Sequence, residues 1–249
     1  MEVHHHAHTP RKKWTHYFWE FLMLFLAVFC GFLAENQREH MVEQQREKQY
    51  IKSLKKDLET DINQINRLKT ELHDFISRLD SIAEGLNQFD ADGPSLATYK
   101  TISRDDLGFP DFIYTDRTMQ QLKNAGGMRL IRNKQVADSI ADYDAQVRRG
   151  LVLQDLINNL YIPRVIDKLN YVLNVTEINK LMAGNYTKED TSNLKKNILL
   201  IHDKVELTRL VNEFRHYRHT IDLQIQYIGY DSEKASKLIP LLQKEYHLK

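Results

Sequence analysis

The chain has 249 residues and a net charge of +1, a balance without the basic footprint that nucleic-acid binding requires. Glycine (9) and proline (5) are scarce and 28% of residues are charged, the composition of long helices and not of sheets and turns. The single cysteine, Cys30, excludes an intrachain disulfide and a cysteine metal cluster.

Residues 1–13 read as a short cytoplasmic tail. His4, His5, His6 and His8 are weak metal candidates, since neutral imidazoles bind divalent ions. A tail offers neither fixed geometry nor outer-shell support, so a solvated tail is the better reading. Arg11-Lys12-Lys13 ends the tail and favours a cytoplasmic N-terminus.

Residues 14–34 predict a transmembrane helix. From Phe21 to Ala34 no residue is charged. With the aromatic entry the stretch reaches the roughly 20 residues that cross a bilayer. Trp14, Tyr17 and Trp19 form the aromatic belt of a membrane interface. No small-residue cleavage site follows, as a removed signal peptide would show. Phe29 before Cys30 also argues against lipoprotein processing.

Within this span Glu20, Leu24, Ala27, Gly31 and Ala34 share a helix face by their spacing. Small residues let membrane helices approach closely, so Glu20, Ala27, Gly31 and Ala34 are the candidate oligomer interface. Glu20 itself admits two readings. One is a proton- or cation-sensitive site inside an assembly. The other, which we favour, is an interfacial acid hydrated by headgroups and paired with Lys13 or a neighbouring subunit.

Residues 35–249 read as a helical bundle. A long helix over 35–89 continues the span, because no Pro or Gly lies between Glu35 and Ile82. From Ile51 its apolar residues fall on heptads, with Ile51, Leu58, Ile65, Leu72, Leu79 and Leu86 at a. Leu54, Leu68, Phe75, Ile82 and Phe89 stand at d. Asp61 is the exception in that row. Such a seam demands a partner helix, in another subunit or folded back from the same chain. Helix and span together extend on the order of 110 Å, with Gly85 and Asp92-Gly93-Pro94 at the end.

The loop over 93–114 is placed at the tip of that helix. Its aromatics Tyr99, Phe109, Phe112 and Tyr114 tuck it onto the bundle or offer a surface to a protein partner. Helices fill 116–173. Asp116 or Thr115 caps the first, Gly126-Gly127 stops it, Asn133 caps the next, and Pro163 kinks or breaks it. A turn between two helices also suits a DNA-binding module, but the low charge disfavours that. The sequons at Asn174 and Asn185 are assigned no role. A return helix over 187–230 runs back along the first, and a terminal helix over 232–246 starts at a cap by Asp231-Ser232 and is kinked by Pro240.

The chemistry that motifs announce is missing from this reading. Glu213 and His216 form one Glu-x-x-His pair, whereas a di-iron bundle needs two and further carboxylates. No zinc-protease, nucleophile-elbow or phosphate-loop pattern occurs. We therefore expect no enzyme and no cofactor.

Met1-Glu2-Val3-His4-His5-His6, Glu20-Phe21-Leu22-Met23, Gly31-Phe32-Leu33-Ala34-Glu35, Arg38-Glu39-His40 and Glu47-Lys48 with Tyr50-Ile51-Lys52-Ser53-Leu54 carry a resemblance. Leu122-Lys123-Asn124 through Gly127-Met128-Arg129-Leu130-Ile131 adds a second patch. These resemble a family of uncharacterised bacterial single-span membrane proteins with an N-terminal His cluster and a helical extracytoplasmic domain. The resemblance implies an anchor and a helical domain, and no reaction.

The expectation is an all-α protein with an N-terminal transmembrane helix continuous with a coiled-coil-like helix and an antiparallel bundle. Its expected role is a homo-oligomeric scaffold or interaction protein in the bacterial inner membrane, its main domain periplasmic and a protein partner at the distal loop. The alternatives are an oligomeric ion-conducting or stator-like component using Glu20, and a ligand-sensing bundle.

Overall fold

A computed structural model describes residues 13–88, 93–104, 107–184 and 191–248. The fold is all-α. Its helices are α1 (Trp14–Asn87), α2 (Leu96–Arg104), α3 (Arg117–Asn124), α4 (Lys134–Leu156), α5 (Ile162–Val172), α6 (Val175–Ala183), α7 (Thr191–Ile198) and α8 (Lys204–Tyr246). A 3₁₀ turn, Gly127–Leu130, precedes α4, and a π-helical turn, Ile157–Tyr161, joins α4 to α5. The chain divides into two compact units at Tyr50.

The first unit is the early part of α1. Its apolar run is exposed on nearly every side: Phe21, Leu24, Val28 and Phe32 are all more than 60% accessible. It is the one helix among the described residues that is long and apolar enough to cross a membrane.

The second unit is built on the rest of α1. Every a residue from Ile51 to Leu86 is at most 1% exposed, and Leu54, Leu68, Phe75 and Ile82 are buried with them. The partner is the same chain. Phase is set by Phe75, whose ring meets Tyr217 of α8 edge-on at 5.8 Å, and by Arg218, which reaches Asp80 at 3.2 Å. Lys69 lies opposite Gly229. From Asp80 back to Lys69 of α1 the α8 neighbour moves on from Arg218 to Gly229, so α8 runs antiparallel to α1. It runs antiparallel to α4 and α5 as well, as the pairs Asn133–Glu245, Lys234–Asp142, Arg164–Glu213 and Lys168–Glu206 show. Three helical rods thus enclose one core, and each covers the apolar stripe of the others.

Several expected boundaries move. The return helix expected over 187–230 and the terminal helix over 232–246 are replaced by α7 and one continuous α8. Asp203, not Asp231, caps α8 by accepting the Val205 N–H at 2.8 Å. Asp231 is a core position, 1% exposed. Pro240 sits inside α8, so the helix passes it with one backbone bond fewer. Val205 is 56% exposed, and the core row of α8 starts at Leu207 and Leu210.

Pro163 also fails to break its helix. The chain stays helical across it, and the turn before it widens into the π form. Proline has no N–H for the carbonyl four residues back, and a widened turn absorbs that loss. The buried face of α4 continues through Gly150 to Ile157, whereas Leu160 is 42% exposed. Helix α6 fills a stretch to which the sequence reading assigned no element. Asn174 caps it by accepting the Thr176 and Glu177 N–H groups, and Gly184 ends it at φ 69°, a conformation that favours glycine.

The expected loop over 93–114 contains α2. That helix packs closely on α1, because a β-carbon at Gly85 would stand 2.3 Å from the Thr98 hydroxyl. Beyond α2 the chain does not stay at the tip of α1. Leu107 accepts the Tyr217 hydroxyl, at the level of Phe75. Thr115 and Thr118 meet Asp61 and Asp57. Residues 107–118 are therefore a strap that follows α1 back over about 28 Å. Tyr99, Phe109 and Phe112 are buried beneath it or in α2, so these aromatics serve packing.

Candidate functional site

The densest set of polar side chains in the bundle forms where the strap, α1, α3 and α4 converge. Asp57 and Asp61 are one turn apart on α1 and are 1% and 0% exposed. Asp57 accepts the Arg117 Nε at 2.7 Å and the Thr118 N–H at 3.2 Å. It thereby caps α3 from another helix: Asp116, the expected cap, makes no capping bond with its side chain. A carboxylate suits this place, since the first N–H groups of a helix lack internal partners and the helix dipole favours negative charge there.

Asp61 accepts the Thr115 N–H through Oδ1 at 3.0 Å and the Tyr143 hydroxyl through Oδ2 at 2.6 Å. Burial pushes its ionisation upward, and Asp57 adds to this, while the two donors pull it partly back. The interruption in the heptad row is thus the acceptor that ties strap and α4 to α1. Buried carboxylates are tolerated when hydrogen-bonded.

Tyr143 stacks edge-on with Tyr114, ring centres 6.0 Å apart. Burial, followed by the charge of Asp61, pushes the Tyr143 phenol far up. Burial and Asp144 do the same to Tyr114. Both phenols are held as neutral donors. Tyr114 donates to Asp144 at 3.2 Å, which also receives Lys123 and Arg148. Burial alone would raise Asp144, but those cations outweigh it and hold the carboxyl below its ordinary value. This network fixes charge and orientation; it presents no activated nucleophile beside a base.

Asp231 completes the interior. Neither of its oxygens has a hydrogen-bond partner, and both ends of the Gln224 amide on the same helix are likewise unpartnered. Gly150 of α4 lies against this carboxylate: a β-carbon there would stand 3.5 Å from Asp231 Oδ2, an ordinary contact. Sequence reading missed both residues. Their signal was visible as a period, since Tyr217, Gln224, Ile228, Asp231 and Leu238 follow one helical face.

The membrane-helix candidates lie in the other unit. Glu20 lies 3.3 Å from His16 Nε2, one turn away. No atom stands within 4 Å of the position a β-carbon would take at Gly31. Phe21, Phe25 and Phe29 stack in succession at 6.2 and 5.9 Å. At 100° per residue this ring ladder lies opposite the face of Glu20, Ala27, Gly31 and Ala34. His4, His5, His6 and His8 fall outside the described residues. Among the described residues no three potential ligands gather as a metal site, and Glu213 is engaged with Arg164.

No family model, curated protein or solved structure matches this chain.

Proposed function

We propose that the chain is a single-pass, membrane-anchored helical interaction protein that assembles with copies of itself. The observation that carries this reading is the contrast within α1. Its early part is apolar around the whole circumference and exposed, whereas its later part is apolar on one face and covered by its own chain. A helix apolar all round is at home in lipid. The bundle needs no second copy to close its core, so self-association falls to the anchor. There the Phe ladder suits lipid and the opposite small-residue face suits another helix. Arg11-Lys12-Lys13 favours an N-terminus in the cytoplasm and the bundle outside it, in the inner membrane of a bacterium.

Asp57, Asp61, Asp144, Tyr114 and Tyr143 are engaged in holding helices together, which supports a role without catalysis. The ion-coupled alternative needs Glu20 to face a shared path. Its partnership with His16 favours the plainer interfacial role.

Two measurements test this reading. The full chain should stay in the membrane through carbonate washing, and native mass spectrometry from detergent should give a multiple of the chain mass. Extraction by carbonate refutes the anchor, and a monomer refutes the assembly. For orientation, Gln135→Cys in a Cys30→Ala background should react with an impermeant maleimide in intact spheroplasts. Labelling only after lysis reverses the topology.

A further inference from the structure

The core of a helical bundle rarely holds a carboxyl group with nothing bonded to it, because an ionised, unpaired group there is among the most costly features a fold can carry. Asp231 is 1% exposed and both its oxygens are unpartnered. Two helices other than its own bring titratable groups toward it. Asp61 of α1 repels its charge, and Tyr143 of α4 is near enough to feel the charges of Asp231 and Asp61 together. From α4, the Gln146 amide is the strongest influence favouring the charged form, although it makes no bond of ordinary geometry, and on α8 itself Lys234 attracts it more weakly. Lys234, however, is engaged with Asp142. No cation therefore comes to rest on Asp231.

We propose that Asp231 is a proton-binding site built into the bundle, protonated in the folded protein under mildly acidic conditions, and that loss of this proton loosens α8 from α4. The difference from Asp61 supplies the chemistry. Asp61 has two donors aimed at it, from Thr115 and Tyr143, which stabilise its anion. Asp231 has none, so its only available neutraliser is a proton. Burial first, then Asp61, pushes Asp231 up to about 7. A cleft of about 470 Å³ gives the proton a route. It is lined by Ser139, Asp142, Gln146, Tyr230 and Lys234 among others, and Gln146 is also the α4 side chain that acts on the carboxyl.

The sign follows from linkage. A carboxyl raised on folding binds a proton more tightly in the native state, so its favourable contribution is present below the ordinary carboxylate range. That contribution is lost as pH rises through about 7. The folding equilibrium constant should fall about a hundredfold between roughly pH 5 and roughly pH 8 through this group alone.

The experiment is chemical unfolding of the full chain in detergent at those two pH values, for the wild type, Asp231→Asn and Asp61→Asn. The expected result is a fall in the wild type that Asp231→Asn abolishes, with Asp231→Asn the more stable of the two at the higher pH. An equal fall in Asp231→Asn overturns the proposal. So does a fall that only Asp61→Asn abolishes, which would put the proton on Asp61. Should Asp231→Asn fail to fold, infrared difference spectra of the wild type decide. A protonated-carboxyl carbonyl band from a water-excluded group must disappear between the two pH values, and its absence at the lower one refutes the site.

Discussion

Helix α1 carries two kinds of sequence along one helix. Between Phe21 and Ala34 it has no charge and no side that its own chain covers. Between Ile51 and Leu86 it has charges on its outer faces and a row of aliphatic residues inside. The difference teaches which force holds each part. In the bundle, water drives apolar faces together. In lipid that drive is absent between helices, and close fit decides. A substitution should therefore be judged by the half of α1 in which it falls.

The sharpest break is Leu72→Asp. Leu72 is 0% exposed, so the change removes a core side chain and buries a charge with no donor. We expect at least about 4 kcal/mol of lost bundle stability, read by denaturant unfolding in detergent. Unchanged stability would mean that this face of α1 is solvated.

A smaller effect is expected at Asp61. Asp61→Ala leaves the Thr115 N–H and the Tyr143 hydroxyl without their acceptor. About 1–3 kcal/mol should be lost per orphaned donor, less the relief of repulsion on Asp231. Asp61→Asn keeps an acceptor oxygen and should lose less than Asp61→Ala. Equal losses in the two variants would show that the bonds to Asp61 do not hold the strap.

These residues also mark how far sequence reading reached. The heptad row over Ile51–Leu86 was legible because burial follows period, and so were the Asn133 cap and the helix apolar enough to cross a membrane. Asp61 was visible as an irregularity, but its partners are 54 and 82 positions away, and no local pattern encodes such distances. The strap was hidden for the same reason: an extended segment bonded to side chains has no period of its own. The continuity of α8 past Asp231-Ser232 and Pro240 was misjudged because a capping pair and a proline outweigh helical signals locally. Tertiary burial of Leu238 and Leu242 overrides them. The Phe ladder needed only the 100° rule, yet it stands out once the rings are seen to stack.

In the anchor half the comparison turns round, and packing replaces burial from water as the quantity at risk. Gly31→Leu adds bulk where a neighbouring helix is proposed to approach. Beyond its own helix backbone no atom stands within 4 Å of where a β-carbon at Gly31 would lie, and Gly31 is outside the bundle unit, so bundle unfolding should shift by no more than about 0.5 kcal/mol. The effect should appear in native mass spectrometry as a shift toward monomer. Undiminished oligomer mass would remove this face as the interface.

The smallest effect is expected at Glu20. Glu20→Gln keeps the side chain's length and removes its charge. His16 then loses a partner that is half exposed in any case, and exposed ion pairs contribute little. Bundle stability should not move, because Glu20 lies outside that unit. Assembly should persist, because the proposed interface depends on Ala27, Gly31 and Ala34. A scaffold should therefore tolerate Glu20→Gln in every assay, including growth of the host. Loss of function with the oligomer intact would separate charge from packing at this face. It would reverse the choice between scaffold and ion-coupled component, since an ionisable group within an assembled span is what an ion path requires.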